Sequence, residues 1–175
     1  MRKTILTGLF CIAAVPAFAA DAPHFGVPAD PARVKAWDIS ILPDGTGLPP
    51  GKGSVAEGAQ IYAAKCQSCH GANGEGKPAD RLTGGIGSLT TAQPVKTVAS
   101  YWPYATTLFD YIRRAMPVTA PRSLSDPEAY ALAAYILSVD GIVKKNAVLD
   151  AKSLPKIKMP NRDGFIDESA KASMR

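Results

Sequence analysis

Cysteine and histidine are scarce in this chain of 175 residues, which holds three of the first and two of the second. So few thiols exclude a disulfide-dense scaffold. No apolar run reaches the roughly 20 residues that a bilayer-spanning helix needs. No stretch alternates apolar and polar residues as a strand would, and no internal repeat is visible. A basic patch carried by a nucleic-acid-reading module is also missing, which excludes a nucleic-acid partner. What is present is a globular composition, 46% apolar, over a length that suits one domain with a core and is too short for two.

The first residues have the form of a secretory signal. Arg2 and Lys3 make a basic start, an apolar run covers residues 5–15, and Ala17-Phe18-Ala19 offers a cleavage site. An uncleaved anchor is the other reading, but the run is too short for it. The expected organisation is a signal peptide at 1–19, an extended arm at 20–53, a helical domain at 54–143 and a basic tail at 144–175. Cleavage implies export to the periplasm with no membrane span. Cys11 leaves with the signal, so Cys66 and Cys69 remain, and a disulfide across two intervening residues would constrain little of the unfolded chain. Losing Arg2 and Lys3 takes the formal charge from +5 to +3. Residues 144–175 carry eight Lys or Arg against four Asp or Glu, whereas 21–143 carry ten against eleven, so the basicity belongs to the tail.

Proline and glycine interrupt every helical window in residues 26–53, GVPADPARVKAWDISILPDGTGLPPGKG, which therefore reads as an extended arm lying on something. The first strong helix starts at Ser54, where Ser-Val-Ala-Glu forms a capping box; Val55, Ala59, Tyr62, Ala63 and Cys66 follow at helical spacing. Gly58 shares a face with Tyr62, and its missing side chain would let another helix approach closely. Residues 71–103 read as mostly loop. A second helix is expected from Thr107 to about Ala115, with Leu108, Tyr111 and Ile112 on one face and Pro117 soon after. The last begins at Ser125, capped by Ser-Asp-Pro-Glu, with an apolar stripe of Ala129, Leu132, Ala133, Ile136 and Leu137 and a stop at Gly141.

Residues 65–76, KCQSCHGANGEG, contain C-x-x-C-H, the attachment signature of c-type haem. Cys66 and Cys69 lie about one turn apart, so both thiols can add to the two vinyl groups of one macrocycle, with His70 as the proximal iron ligand. A redox dithiol would want a βαβ setting that this chain lacks. Half of a zinc site would need further ligands, of which only His24 remains. A haem would also give a small helical unit a large apolar body to pack on. For the sixth ligand the mature chain offers Met116, Met159, Met174 and His24. Met116, in RRAMPV, stands past a helix and before a proline that favours extended chain, which suits a loop crossing a haem face. Met159, in KIKMPNRDGF, reads as an apolar peg in a basic arm whose lysines and arginine suit docking. A six-coordinate iron has no open position for substrate, which favours an electron carrier over an enzyme.

CxxCH after a helix with GxxxY, a later Met-Pro loop and a terminal aromatic helix resemble a class I cytochrome c over residues 54–140. Within that family, WDISILPDGTGLPPGKGS, YWPYATTLFDYIRRAMP and KIKMPNRDGF resemble the SoxD-type cytochrome subunits of sulfur or sulfite dehydrogenases. The resemblance implies an all-α fold around one covalent haem c, ligated by His70 and Met116, with irregular N- and C-terminal arms. It implies that Gly58 and Tyr62 pack against the terminal helix near Tyr130 or Tyr135. It leaves Trp102 and Tyr104 two readings, as haem-pocket or propionate-binding residues or as ordinary core aromatics. Functionally it implies an electron-transfer subunit of a molybdenum-containing dehydrogenase that passes electrons to a downstream cytochrome or oxidase. A free-standing shuttle and a haem enzyme are the rival expectations.

Overall fold

The computed structural model describes residues 26–166 and Glu168. The signal segment 1–19, Cys11, His24 and Met174 lie outside the described residues. The chain divides into two units, residues 1–37 and 38–175.

In the first unit the described element is the helix α1, Pro31–Trp37. This corrects the expectation of a wholly extended arm. Asp30 supplies the missing nucleus: its carboxylate accepts from the Ala32 N–H at 2.9 Å and its carbonyl from the Val34 N–H at 2.9 Å, while Pro31 opens the helix where no N–H is needed.

The second unit is built on three helices, α2 (Val55–Lys65), α5 (Ala105–Ala115) and α6 (Asp126–Val139), with two one-turn helices, α3 (Gln67–His70) and α4 (Val98–Tyr101), in the connection between α2 and α5. The capping boxes read from the sequence are formed. The Ser54 N–H donates to the Glu57 carboxylate at 2.8 Å and the Glu57 N–H to Ser54 Oγ at 3.2 Å, and Ser125 and Glu128 repeat the arrangement. Gly141, at φ +73°, ends α6.

Helix α6 is the central element. Ala129, Leu132, Ala133, Ile136 and Leu137 are all buried, and α2 and α5 both pack on it. A Cβ at Gly58 would run into the Ala131 carbonyl and come within 2.8 Å of Tyr135 Cβ, so α2 and α6 touch backbone to backbone there. One turn on, the Tyr62 and Tyr135 rings meet with centroids 4.9 Å apart. The pairing implied by the resemblance is thus present, through Tyr135. Lys65 and Glu128 bridge the same two helices at 2.6 Å, and that ammonium, with the Ser125 cap, holds the Glu128 carboxyl down at about 2. Helix α5 starts two residues earlier than expected and turns Ala105, Leu108, Phe109 and Ile112 inward, leaving Tyr111 49% exposed.

The flanking segments join this core. Residues 38–51 lie along α5 and α6: Ile41 is buried, Arg114 donates to the Ile39 carbonyl at 3.3 Å, and the Tyr130 hydroxyl donates to the Pro49 carbonyl at 2.8 Å. Strand β1 (Lys52–Ser54) pairs antiparallel with β2 (Val148–Asp150), Gly53 opposite Leu149, and the pair lies on α6. The sheet was not expected, because three-residue strands are too short to show alternation. Leu149, Leu154 and Met159 are buried in the same cluster as the helices. Residues 148–159 therefore belong to the core and are not a separate tail.

Candidate haem-attachment site

Helix α2 ends at Cys66, whose N–H donates to the Tyr62 carbonyl at 2.9 Å. The chain then tightens into α3. The Cys66 carbonyl accepts from the Cys69 N–H at 3.1 Å and the His70 N–H at 3.0 Å, so Cys66, Cys69 and His70 share one turn. Both cysteines are free thiols, Cys66 partly buried and Cys69 exposed. Burial pushes the Cys66 thiol up to about 11, which keeps it protonated at neutral pH.

His70 Nδ1 lies 2.8 Å from the Asp80 carbonyl oxygen. A carbonyl can only accept, so Nδ1 carries the proton and Nε2 is left with its lone pair for a metal. No sequence signal could have named Asp80, because any residue's carbonyl would serve. The loop that delivers it is tied closely to the attachment turn: Gly76 N–H donates to the His70 carbonyl at 2.8 Å, Ala79 N–H to the Cys69 carbonyl at 2.9 Å, and the Tyr62 hydroxyl to the Gly71 carbonyl at 2.9 Å. Further along, Thr83 Oγ1 donates to the Asn73 carbonyl at 2.7 Å, and the Gly84 N–H donates to Asp140 beyond the end of α6 at 2.8 Å. A glycine-rich segment with little periodicity is in this way fixed by local hydrogen bonds.

Met116 is partly exposed at the C-cap of α5, with the extended backbone that Pro117 imposes (φ −109°, ψ 148°). Met159 is 1% exposed within the core cluster. Trp102 packs edge-on against Tyr111 of α5 at 5.6 Å, and Tyr104 lies under the Arg162 guanidinium at 4.0 Å. Among the described residues no group of three or more His, Cys, Asp or Glu is gathered that could hold a metal ion. Ile86, Tyr111 and Val118 stand 49%, 49% and 69% exposed on the surface. The donor set fits a c-type haem.

A family model described as cytochrome c matches residues 55–140. A chain in the crystal structure of the sulfane dehydrogenase SoxCD from Paracoccus pantotrophus superposes with a TM-score of 0.78 at 42% identity, covering 85% of this chain and 74% of that one. The chain belongs to the cytochrome c family. A cytochrome c carries covalent haem c and moves electrons, and the two free thiols of CxxCH are consistent with that attachment. This cytochrome c is also similar to a thiosulfate dehydrogenase from Stutzerimonas stutzeri (strain A1501), 31% identical in a 102-residue alignment that covers 51% of this chain. It spans only 29% of the length of that relative. Among the described residues no helix is long and apolar enough to cross a membrane.

Proposed function

We propose that this cytochrome c is an exported, periplasmic electron-transfer subunit of a molybdenum-containing dehydrogenase that oxidises sulfite or a protein-bound sulfane sulfur. Cys66 and Cys69 would hold the haem through thioether links to its two vinyl groups, and His70 and Met116 would be the protein's iron ligands. When bound, haem supplies a one-electron Fe(III)/Fe(II) couple, so a two-electron oxidation at the partner reloads the cytochrome twice per turnover. The chain's own residues do the rest. Asp80 orients His70 through its carbonyl. Tyr62 and the Gly71–Thr83 hydrogen bonds keep the attachment turn rigid.

One observation carries the choice of partner. The likeness to the sulfane dehydrogenase covers 85% of the chain, well beyond the 55–140 that define the family, so it extends into the flanking segments where ordinary cytochromes c need not agree. The experiment is purification from the native periplasm at low salt. Co-elution with a molybdenum-containing subunit, and substoichiometric sulfur substrate reducing two cytochromes for each two-electron step of its oxidation, two in all for sulfite, is the expected result. Recovery of the cytochrome alone, with its reduction independent of any sulfur compound, would overturn it.

A second reading, a free-standing shuttle to a downstream cytochrome or oxidase, is favoured by one feature. Lys144, Lys145, Lys152, Lys156 and Lys158 are all exposed, and such a basic surface steers acidic partners. Steep loss of electron-transfer rate with salt, without a stable complex, would select it.

A further inference from the structure

We infer that residues 159–165 form a strap that positions the aromatic ledge 101–104 beside the haem, with Asn161 and Arg162 as positioning residues for iron coordination. The inference rests on the His70/Met116 reading above.

The ledge follows α4, whose last carbonyl, that of Tyr101, has no intrahelical donor because the helix stops there. Asn161 fills that role from a distant part of the chain, its Nδ2 donating to the Tyr101 carbonyl at 2.7 Å. Two further contacts bind strap to ledge: the Phe165 ring meets the Tyr101 ring edge-on at 5.2 Å, and the Arg162 guanidinium sits 4.0 Å over the Tyr104 ring. The strap is shaped for this by two turns, Arg162 N–H to the Met159 carbonyl at 3.1 Å and Gly164 N–H to the Asn161 carbonyl at 3.2 Å. The Asn161 side-chain amide lies directly against Gly164, where a Cβ would displace it. Met159, buried in the core, anchors the near end.

The ledge in turn braces both segments that supply the proposed ligands. On the histidine side, Val98 N–H of α4 donates to the Leu82 carbonyl at 3.1 Å, Leu82 N–H to the Gly74 carbonyl at 2.8 Å, and Gly76 N–H to the His70 carbonyl at 2.8 Å. On the methionine side, Trp102 packs at 84° against Tyr111, and α5 runs from there to its C-cap at Met116. These contacts link the ledge to both segments that carry the proposed iron ligands. Because the strap contacts are a hydrogen bond and two surface ring contacts, their loss frees the ledge without dismantling the helical core.

The test uses the full-length haem-loaded protein and the variants Asn161→Ala, Arg162→Ala, their combination and Arg162→Lys. Amide exchange at Tyr101, Trp102 and Tyr104, carbon monoxide binding by the reduced protein and the methionine-ligation absorbance band are read beside a thermal melt. In the double variant, exchange at these amides should rise about tenfold as local opening becomes easier, carbon monoxide should bind where wild type resists it, and the band should weaken. Arg162→Lys, which keeps a cation over Tyr104, should restore most of the single-variant loss. Phe165→Ala, at a half-exposed ring, is the second variant should the double one fold poorly, and it should move the same readouts in the same direction. A present band in wild type, with band, carbon monoxide binding and exchange unmoved in the variants, would overturn the strap alone. A wild-type protein without the band would remove the ligand reading and this inference together.

Discussion

Met116 and Met159 are both followed by proline, and at the scale of single residues their neighbourhoods in the sequence look alike. The structure separates them. Met159 is 1% exposed and packs with the helices, whereas Met116 stands partly exposed at the end of α5 with an extended backbone. Met116→Ala should abolish the methionine-ligation band and leave the fold intact. Met159→Ala should keep the band but cost about 2–5 kcal/mol of stability, as truncating a buried Met does, measured by denaturant unfolding. The reverse pattern would exchange their roles. CxxCH, by contrast, was readable in full, because two thiols and an imidazole on one turn depend only on local spacing. The partner of His70 was not, because a backbone carbonyl carries no residue identity.

Among the elements, the capping boxes at Ser54 and Ser125 and the stripe of α6 followed directly from residue order, since both are set within a few residues of chain. The close approach at Gly58 was also legible, as a glycine on the face of a helix that otherwise gains from alanine. Gly58→Ala tests it with a clear sign. Propensity alone would favour alanine by about 1 kcal/mol, but the new Cβ overlaps the Ala131 carbonyl, and overpacking costs about 1–3 kcal/mol. A net loss in urea unfolding is expected; a gain would mean that α2 and α6 do not touch there. Helix α1, the one-turn helix α4 and both strands escaped the sequence reading. Helix α1 depends on Asp30 overriding a proline-rich context, and β1 and β2 depend on each other across 93 intervening residues, from Ser54 to Val148.

For the whole molecule, the segment that looked like a docking tail contributes to the core. Deleting residues 148–175 removes β2 together with Leu149, Leu154 and Met159. At roughly 1.5–3 kcal/mol for each buried side chain, the loss is about 5–9 kcal/mol, comparable to the entire stability of an ordinary domain. The truncated protein should lose its cooperative melt, followed by circular dichroism. Loss of partner binding in such a truncation would then report unfolding; substitution of the exposed lysines 144, 145, 152, 156 and 158 is the cleaner probe of docking.

Sequence by itself determined the cofactor chemistry, the three principal helices and the caps of two of them, because each is written in residues a turn or two apart. Tertiary structure alone decided which residues of the flanking segments are buried, and against what. Their few apolar residues, Ile41, Leu149, Leu154 and Met159, have no periodicity to announce an element, and become core only when α5 and α6 present a surface to bury them. The same holds for Asn161 and Arg162, which are ordinary polar residues until the fold brings the Tyr101 carbonyl and the Tyr104 ring within reach.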